Sequence, residues 1–489
     1  MLARKLPKKW NQETDIVIIG SGFAGLAAAI EAKLAGSSVI IIEKMKGYGG
    51  NSLISDGVVA AAATRMQADA GIADSSRLMY NDMRRAGLGL NRPDLVQVLT
   101  DNSAETFHWT IDFLGVRYLD RVDQFGGHSV PRCYTPHNRS GSAIIKQMLL
   151  KTTELGIRIQ TKRCLQHILP DSSGRICGVL VREGYAHPNA DSGIQKYIKA
   201  HKAVILASGG FANDIKLRTS QDPRLTPDIG STNKFSTTGE ALKQALRIGA
   251  MPVHLSWIQL GPWASPDEKG YGVGPEFASY TAFPYGIMVN PKTGGRFVNE
   301  LADRKIRSDA ILQVGLPCIG IADQEGIEAS GHPVERCLRK GVVKKFNRID
   351  DIADDYKIPI QQLRNTIEQF NTSYGRRIDK DFKKPILANA KPLDHPPYYC
   401  MRLWPKVHHT MGGVLINANA QVLDLALEPM KGFYAAGEVA GGIHGACRLG
   451  SCAIIDCLVF GRIAGRQAAA LNSQNAEFDA NYESKHGSP

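Results

Sequence analysis

A short stretch near the N-terminus sets the strongest limit on what this chain can fold into. Residues 14–44 read TDIVIIGSGFAGLAAAIEAKLAGSSVIIIEK. DIVIIG predicts a buried strand, the residues after it have the apolar spacing of a helix, and SSVIIIE predicts a second strand. Gly20, Gly22 and Gly25 form G-x-G-x-x-G at the turn from strand to helix, and Glu43 ends the second strand. The pattern predicts the first βαβ unit of a Rossmann-like domain.

Each residue of this motif suits a dinucleotide ligand. Gly20 allows a tight turn, Gly22 lets the backbone approach a pyrophosphate, and Gly25 lets the helix pack closely on the strand. The helix N-terminus offers free N–H groups to the phosphates, and the Glu43 carboxylate can accept hydrogen bonds from both ribose hydroxyls. We therefore expect dinucleotide binding.

Two later segments favour FAD over NAD. HKAVILASGGF (201–211) and KGFYAAGEVAGGIHG (431–445) each predict a strand that ends in a glycine-rich turn, as is typical of glutathione-reductase-type FAD proteins. In the sequence no other G-x-G-x-x-G follows a predicted strand, so we expect no separate NAD(P)H domain.

Composition narrows the class of protein further. The net charge of +12 comes from scattered basic residues, which favours a small anionic ligand or an acidic protein partner over nucleic acid. No apolar run reaches the ~18 residues that a membrane span needs. The nine cysteines form no CxxC or CxxCH, so we expect no metal, haem or iron–sulfur site. We expect a cytoplasmic location, or a periplasmic one if an export signal has been removed or is supplied by a partner.

Several further motifs resemble one known family. EKMKGYGGNS, ASGGFAND, TTGEALKQALRIGA, GGRFVNELADR, KVHHTMGGVLIN and GFYAAGEVAGGIHGACRLGSCAIIDC occur in its order, between about Asp15 and Ala470. They resemble the FAD-dependent fumarate reductase and succinate dehydrogenase flavoproteins, above all the soluble flavocytochrome-c-type 2-enoate reductases.

The resemblance implies an α/β fold in which a smaller α+β clamp domain interrupts a glutathione-reductase-type FAD-binding domain. The implied boundaries are 12–254 and 406–475 for the FAD-binding domain, 255–405 for the clamp domain and 476–489 for a polar tail. The attachment histidine of the complex-type members has no counterpart in NSLIS, so the resemblance implies non-covalent FAD.

The same resemblance, together with the glycine-rich turns, predicts the cofactor-binding residues. They are Gly20, Gly22, Phe23, Ala24, Gly25, Glu43, Lys44, Gly50, Asn51, Ser52, Gly57, Ala207, Ser208, Gly209, Thr238, Gly239, Glu240, His409, Gly437, Glu438, Arg448, Ser451, Ala453 and Ile454.

Three residues match the catalytic positions of the family. His408 and Arg448 match ligands of the substrate carboxylate, with His409 as the alternative to His408. Arg304, five residues after Asn299, matches the proton donor. Arg307 is interpreted as a surface charge or as an ion pair with Asp303. His128 is a further candidate for the pocket.

The sequence departs from the family at four positions. Gly261 and Trp263 stand where a histidine and a threonine hold the second carboxylate of fumarate, and Ser279 and Ala282 replace a proton-relaying Glu and Arg. Fumarate is therefore not the expected substrate. The aromatic residues near these positions indicate a larger, flatter or more apolar substrate group, or simply core; they are Trp263, Tyr280, Phe283 and Tyr285.

These observations predict an FAD-dependent oxidoreductase that reduces the C=C bond of an α,β-unsaturated carboxylate. Hydride would leave flavin N5, Arg304 would donate the proton, and a cytochrome, FMN protein or quinone-linked protein would exchange electrons. The alternatives are dehydrogenation of a saturated (poly)carboxylate, a 3-ketosteroid-type dehydrogenase, and a flavin subunit of an electron-transfer complex.

Overall fold

The structure is a computed structural model that describes residues 6–472, and the predicted tail 476–489 lies outside them. The chain divides into two compact units, described here as unit 1 and unit 2. Within the described residues, unit 1 comprises 6–222, 234–258 and 410–472, and unit 2 comprises 223–233 and 259–409.

The secondary structure of the described residues contains both strands and helices. The strands are β1 (Gln12–Ile19), β2 (Val39–Ile42), β3 (Val59–Ala60), β4 (Cys133–Tyr134), β5 (Arg158–Gln160), β6 (Arg163–Pro170), β7 (Ile176–Glu183), β8 (Ile194–Leu206), β9 (Pro252–Val253), β10 (Ile258–Gly261), β11 (Ile287–Val289), β12 (Cys318–Ala322), β13 (Val343–Phe346), β14 (Tyr398–Leu403), β15 (Lys406–Thr410), β16 (Gly413–Leu415), β17 (Gln421–Leu423), β18 (Pro429–Ala435) and β19 (Ala440–Gly441).

The helices are α1 (Phe23–Leu34), α2 (Gly50–Ile54), α3 (Arg65–Asp69), α4 (Ser76–Ala86), α5 (Pro93–Asp101), α6 (Ser103–Asp112), α7 (Ser142–Glu154), α8 (Ile215–Gln221), α9 (Glu240–Arg247), α10 (Gly274–Phe277), α11 (Phe283–Tyr285), α12 (Arg304–Val314), α13 (Gln324–Ser330), α14 (Glu335–Arg339), α15 (Ile349–Tyr356), α16 (Ile360–Asn371) and α17 (Cys452–Ala470). A π-helical turn covers Ala278–Ala282, and 3₁₀ turns cover Tyr374–Arg376 and Gly437–Val439.

Unit 1 is built on one large sheet with the order β17-β18-β8-β1-β2-β5. β1 pairs in parallel with both β2 and β8, so that Ile18 lies beside Ile41 and Ile205. β7 pairs antiparallel with β8 and with β6. Because both faces of the central strands are covered, the second half of β1, residues 16–19, is an unbroken apolar run. This is the Rossmann-like arrangement that the sequence predicts.

Helix α1 follows β1 directly and packs closely on it. A Cβ atom added at Gly25 would lie 2.0 Å from the carbonyl oxygen of Gly20, so no larger residue fits. On another face of α1, a Cβ added at Gly465 of α17 would lie 2.3 Å from the Ala28 oxygen. Glycine at these two points therefore fixes the close approach of α1 to its neighbours.

Unit 2 centres on an antiparallel sheet with the order β11-β12-β14-β13. Its side chains alternate between two cores, as the period of a strand requires. Ile287 and Val289 pack in one core with Leu363 of α16, whereas Met288 packs in the other with Ile311 of α12. A helix-covered antiparallel sheet is the α+β class predicted for the smaller domain.

The units change at residues 258/259 and 409/410, whereas the sequence predicts boundaries at 255 and 405. The segment 223–233 also belongs to unit 2, because its backbone pairs with β15: the Val407 N–H donates to the Gly230 oxygen at 2.9 Å. Among residues 6–472, none of the helices combines the length and the apolar character needed to cross a bilayer.

Candidate active site

A cavity opens in unit 1 where β1, β2, β8 and β18 end. It encloses about 990 Å³ of empty space, a volume that includes the open solvent at its mouth. It is lined by Ile19, Gly20, Ser21, Gly22, Phe23, Ala24, Ile42, Glu43, Lys44, Gly50, Asn51, Ser52, Arg163, Cys164, Leu165, Ala207, Ser208, Gly209, Ser236, Thr237, Thr238, Gly239, Glu240, Ala241, Ala436, Gly437, Glu438 and Cys457. The carboxyl ends of parallel strands are where open α/β sheets bind their ligands.

The glycine-rich turn shapes one wall of this cavity. Gly20 has φ +110°, and a Cβ there would lie 2.4 Å from the Ala207 oxygen, so only glycine fits the turn. Gly22 is the N-cap of α1 and carries no side-chain cap. Ser52 takes up one of the first N–H groups, since Phe23 N donates to Ser52 Oγ at 3.1 Å. The positive end of α1 therefore faces the cavity, as a pyrophosphate group requires.

Glu43 is held rigidly at the end of β2. Its carboxylate accepts hydrogen bonds from Ser21 Oγ at 2.7 Å and from Met45 N at 2.9 Å. A carboxylate has about four acceptor positions, so Glu43 can still accept from ribose hydroxyls.

Lys44 and Glu240 add a fixed ion pair to the same wall. Lys44 Nζ lies 2.7 Å from Glu240 Oε2 and donates to Thr238 Oγ1 at 2.9 Å. Burial alone would raise the pKa of Glu240, but the charge and hydrogen bond of Lys44 outweigh it and lower the pKa. The ion pair and the hydrogen bond to Thr238 consequently hold both side chains in place on the cavity wall.

The cavity brings together most of the predicted cofactor residues. Seven of the predicted positions do not line it: Gly25, Gly57, His409, Arg448, Ser451, Ala453 and Ile454. Gly25 lies behind the turn, where its role is helix packing, and His409 belongs to unit 2. The hydrogen-bonding groups of the cavity and its glycine turn fit FAD.

Sequence reasoning missed some cavity residues. Ser236 and Thr237 directly precede the predicted Thr238, so the motif TTGE could have pointed to them. Arg163, Cys164 and Leu165 lie on β6, which reaches the cavity only through the folded sheet, and no local signal marks them.

Arg448 lies buried in the loop before α17 in unit 1. It is 4% exposed, and burial lowers the pKa of its guanidinium against the opposing effect of several groups that include Asp56 and Glu438. His128, the further candidate, supports this loop, because its Nε2 lies 2.8 Å from the Gly450 oxygen. Arg132 contacts His128 Nδ1 at 3.2 Å and forms buried ion pairs with Asp74 and Asp82. His128 thus connects a rigid ionic network to the Arg448 loop.

Arg304 is the first residue of α12 in unit 2. Asp303 caps this helix by accepting from Ile306 N at 3.0 Å. The Arg304 guanidinium lies 4.4 Å from the centre of the Trp263 ring, and its Nη1 donates to Gln259 Oε1 at 3.2 Å. The cation–π contact and the amide hold the guanidinium in one orientation.

His408 contacts the same tryptophan. The two rings are perpendicular, with centres 5.0 Å apart. The hydroxyl of Thr232 lies 2.8 Å from His408 Nδ1 and fixes the imidazole. We call Arg304, His408, Trp263, Gln259 and Thr232 the Trp263 cluster. His409, the alternative carboxylate ligand, directly follows His408 in the chain and is also buried.

Arg307 is buried, so its interpretation as a surface charge is wrong. Only 7% of it is exposed, and its guanidinium lies 4.7 Å from the centre of the Phe283 ring. Its Nε approaches the backbone oxygen of Asp303 at 3.5 Å. One helical turn after Arg304, the side chain turns into the core of unit 2 because α12 buries that face.

The other aromatic candidates divide between core and partly exposed positions. Phe283 is a core residue, Tyr280 stacks on His332 at 3.8 Å, and Tyr285 donates to Asn389 at 3.3 Å. Trp263 contacts both Arg304 and His408.

The partners of the catalytic candidates could not be found from the sequence. Gln259 lies 45 positions from Arg304, and Thr232 lies 176 positions from His408. His444 and Asp456 form another buried pair in unit 1, with His444 Nε2 3.1 Å from the carboxylate. Gln259 and Thr232 belong to no local motif with a chemical meaning, whereas His444 and Asp456 lie within the family motif GFYAAGEVAGGIHGACRLGSCAIIDC.

Comparison with known proteins decides the family. The sequence profile described as FAD binding domain matches residues 15–454. The chain belongs to the FAD binding domain family. It is 42% identical over 467 residues to the acrylate reductase flavoprotein subunit of Shewanella woodyi, covering 94% of this chain and 92% of that protein. It is 33% identical to the urocanate reductase of Eggerthella lenta, covering 95% of this chain and 76% of that protein.

A solved structure agrees. The open conformation of a flavocytochrome c3 fumarate reductase has a TM-score of 0.76 and 31% identity, covering 94% of this chain and 78% of that chain. The predicted resemblance, the α/β fold with an FAD-binding domain and a smaller capping domain, FAD as cofactor and an FAD-dependent oxidoreductase are therefore confirmed.

Proposed function

We propose that this protein reduces the C=C bond of a short α,β-unsaturated monocarboxylate of the acrylate type. The observation that carries the proposal is the Trp263 cluster, where one guanidinium and one imidazole contact the same ring in unit 2. The names of relatives that cover more than nine-tenths of this chain, acrylate reductase and urocanate reductase, support it. We propose unit 2 as the clamp domain.

His408 and Arg448 are the proposed ligands of the substrate carboxylate. A guanidinium offers a carboxylate two parallel hydrogen bonds, and the imidazole adds a third donor when protonated. Burial makes a charged Arg448 unfavourable, and a bound carboxylate would offset this desolvation. Charge that develops on the carboxylate in the transition state would be stabilised by the same donors.

Arg304 is the proposed proton donor to the α-carbon. When bound, FAD would supply the hydride that the β-carbon needs, and Arg304 would supply the proton that completes the saturated acid. An arginine has a pKa above ~12, so it donates only to a strong base such as a carbon adjacent to a developing carboxylate dianion. Gln259 and Trp263 support the role because they fix the guanidinium at the start of α12.

Each turnover consumes two electrons, which a redox partner must return to the FAD. We propose a cytochrome, an FMN protein or a quinone-linked protein with an acidic docking face, because this chain carries a net charge of +12. We propose non-covalent FAD and a cytoplasmic location, which an odd number of cysteines without a disulfide framework in the sequence supports. A periplasmic location is the alternative outcome of cell fractionation.

The test is an anaerobic assay of the FAD-loaded protein with reduced methyl viologen and a panel of enoates. We expect viologen oxidation with acrylate and with small substituted acrylates, and a kcat/KM for fumarate lower by at least about tenfold. The product is identified as the saturated acid. If every enoate fails while the FAD spectrum is normal, the proposal is wrong.

A further inference from the structure

Gly261 and Trp263 share one space at the end of β10. A Cβ atom added at Gly261 would lie 3.2 Å from Cε2 and Cζ2 of Trp263 and 3.5 Å from His408 Cβ. The two contacts to the indole are tighter than ordinary van der Waals contacts, so the ring would have to shift by a few tenths of an ångström. The indole ring therefore occupies the space that a side chain at position 261 would need, so the side chains at the two positions compete for the same volume.

The same ring borders Arg304 and His408, the two residues of unit 2 that are proposed to act in the reaction. Arg304 lies over it at 4.4 Å, His408 meets it at 5.0 Å, and only 4% of the tryptophan is exposed. A ring in this position leaves an apolar wall beside the two groups that would handle the substrate.

The tryptophan is a poor choice if stability alone is considered. Its Nε1 is buried, and it finds no hydrogen-bond partner among the described residues. A buried donor without a partner destabilises a protein, and phenylalanine would avoid the loss. The bulk of an aromatic ring, rather than the indole N–H group, is what the position uses.

We infer that Trp263 determines substrate length. Its ring closes the Trp263 cluster on the side of Gly261. The far end of the enoate must therefore be small and uncharged. The inference rests on the proposed function and deepens it. A second carboxylate there would lose its hydration against an aromatic wall that presents no accessible donor, and a bulky group would collide with the ring.

The test compares kcat/KM for acrylate, crotonate, cinnamate and fumarate in wild type and Trp263→Ala, with each value divided by the bound FAD. We expect the cinnamate-to-acrylate ratio to rise at least about tenfold in Trp263→Ala, since space is opened. Trp263→Phe keeps most of the ring, and its ratio should stay within about threefold of wild type. Trp404→Phe, a partly buried tryptophan of the same unit, is the matched control.

Gly261→Ala tests independently whether the side chains at positions 261 and 263 compete for the same space. Alone it should lower the acrylate kcat/KM by about tenfold or more, because the new Cβ displaces the ring. Adding Trp263→Ala to it should restore the substrate preference of Trp263→Ala alone, so the two substitutions should not be additive. If Trp263→Ala loses FAD, Trp263→Leu is measured in its place.

The outcomes separate the two proposals. A wild type that reduces no enoate overturns the proposed function. A wild type that reduces acrylate, with substrate ratios unmoved in Trp263→Ala or Trp263→Leu at full FAD content, overturns only the role of Trp263. A shift in Trp263→Phe as large as that in Trp263→Ala would also overturn it, because ring bulk would then not matter.

Discussion

The hydroxyl oxygen of Thr232 lies 2.8 Å from Nδ1 of His408. The contact is buried at the threonine, and the same hydroxyl is 3.4 Å from the Val407 oxygen. A partner on one ring nitrogen decides which tautomer the imidazole adopts and leaves Nε2 with a defined role. Thr232 is thus a positioning residue for the proposed carboxylate ligand.

Replacing Thr232 by valine should raise the KM for acrylate about three- to tenfold and change kcat less, because one hydrogen bond to the imidazole is lost. Steady-state kinetics with reduced viologen measure both constants. Thr372→Val, at an exposed threonine of unit 2, is the control. An unchanged KM would show that Thr232 does not position His408.

Glu43→Gln should weaken FAD binding by about tenfold or more. The carboxylate is held by Ser21 and Met45 and would accept hydrogen bonds from the ribose hydroxyls at its remaining acceptor positions, and a neutral amide accepts more weakly. Titration of apoprotein with FAD, followed by flavin fluorescence, gives the Kd. Glu154→Gln is the control, since Glu154 is exposed. Equal Kd values would contradict the role of Glu43.

His128→Leu should impair the Arg448 loop without unloading the cofactor. Arg132 faces Nδ1, so Nε2 carries the hydrogen and donates to the Gly450 oxygen at 2.8 Å. We expect a KM for acrylate raised about tenfold at unchanged FAD content. His137→Leu, an exposed histidine, should behave as wild type. A normal KM in His128→Leu would argue that the loop is held by other contacts.

Lys384 predicts a pH dependence of stability. It is fully buried, 3.7 Å from Glu300, and burial lowers its pKa from 10.5 to about 8 despite the opposing charge of Glu300. Between these values the unfolded chain binds a proton that the folded protein does not, so Lys384 makes stability rise with pH. Below about pH 8 both states are protonated, and the contribution is constant.

The measurement is the free energy of unfolding of wild type relative to Lys384→Met between about pH 8 and about pH 10. The free energy of unfolding of wild type, relative to that of the variant, should increase by up to about 1.4 kcal/mol per pH unit. Glu300 keeps its ion pair with Arg296 at 2.7 Å in the variant, so the site stays paired. Lys340→Met, at an exposed lysine, should show no such trend. A falling or flat difference would contradict the assignment.

The sequence was most informative where chemistry and local structure coincide. The turn at Gly20 and Gly22, the helix that follows it and Glu43 form one continuous segment, so their spacing specifies both the fold and the ligand. The family motifs likewise led to Arg304 and His408, which the structure places against one tryptophan.

Contacts between distant segments could not be predicted in the same way. Gln259 and Thr232 reach their partners only after unit 2 has folded, and neither residue type is distinctive. Arg307 shows the opposite failure. A charged residue on a helix is usually solvated, but here the buried face of α12 and the ring of Phe283 receive it.

The most direct test of the account is the kcat of anaerobic acrylate reduction in Arg304→Ala, compared with Arg339→Ala at an exposed arginine of the same unit. Both variants are matched for bound FAD and for thermal stability. The account predicts that Arg304→Ala loses activity by at least about a hundredfold and that Arg339→Ala retains it. An Arg304→Ala protein that turns over within about threefold of wild type would contradict the proposed proton donor.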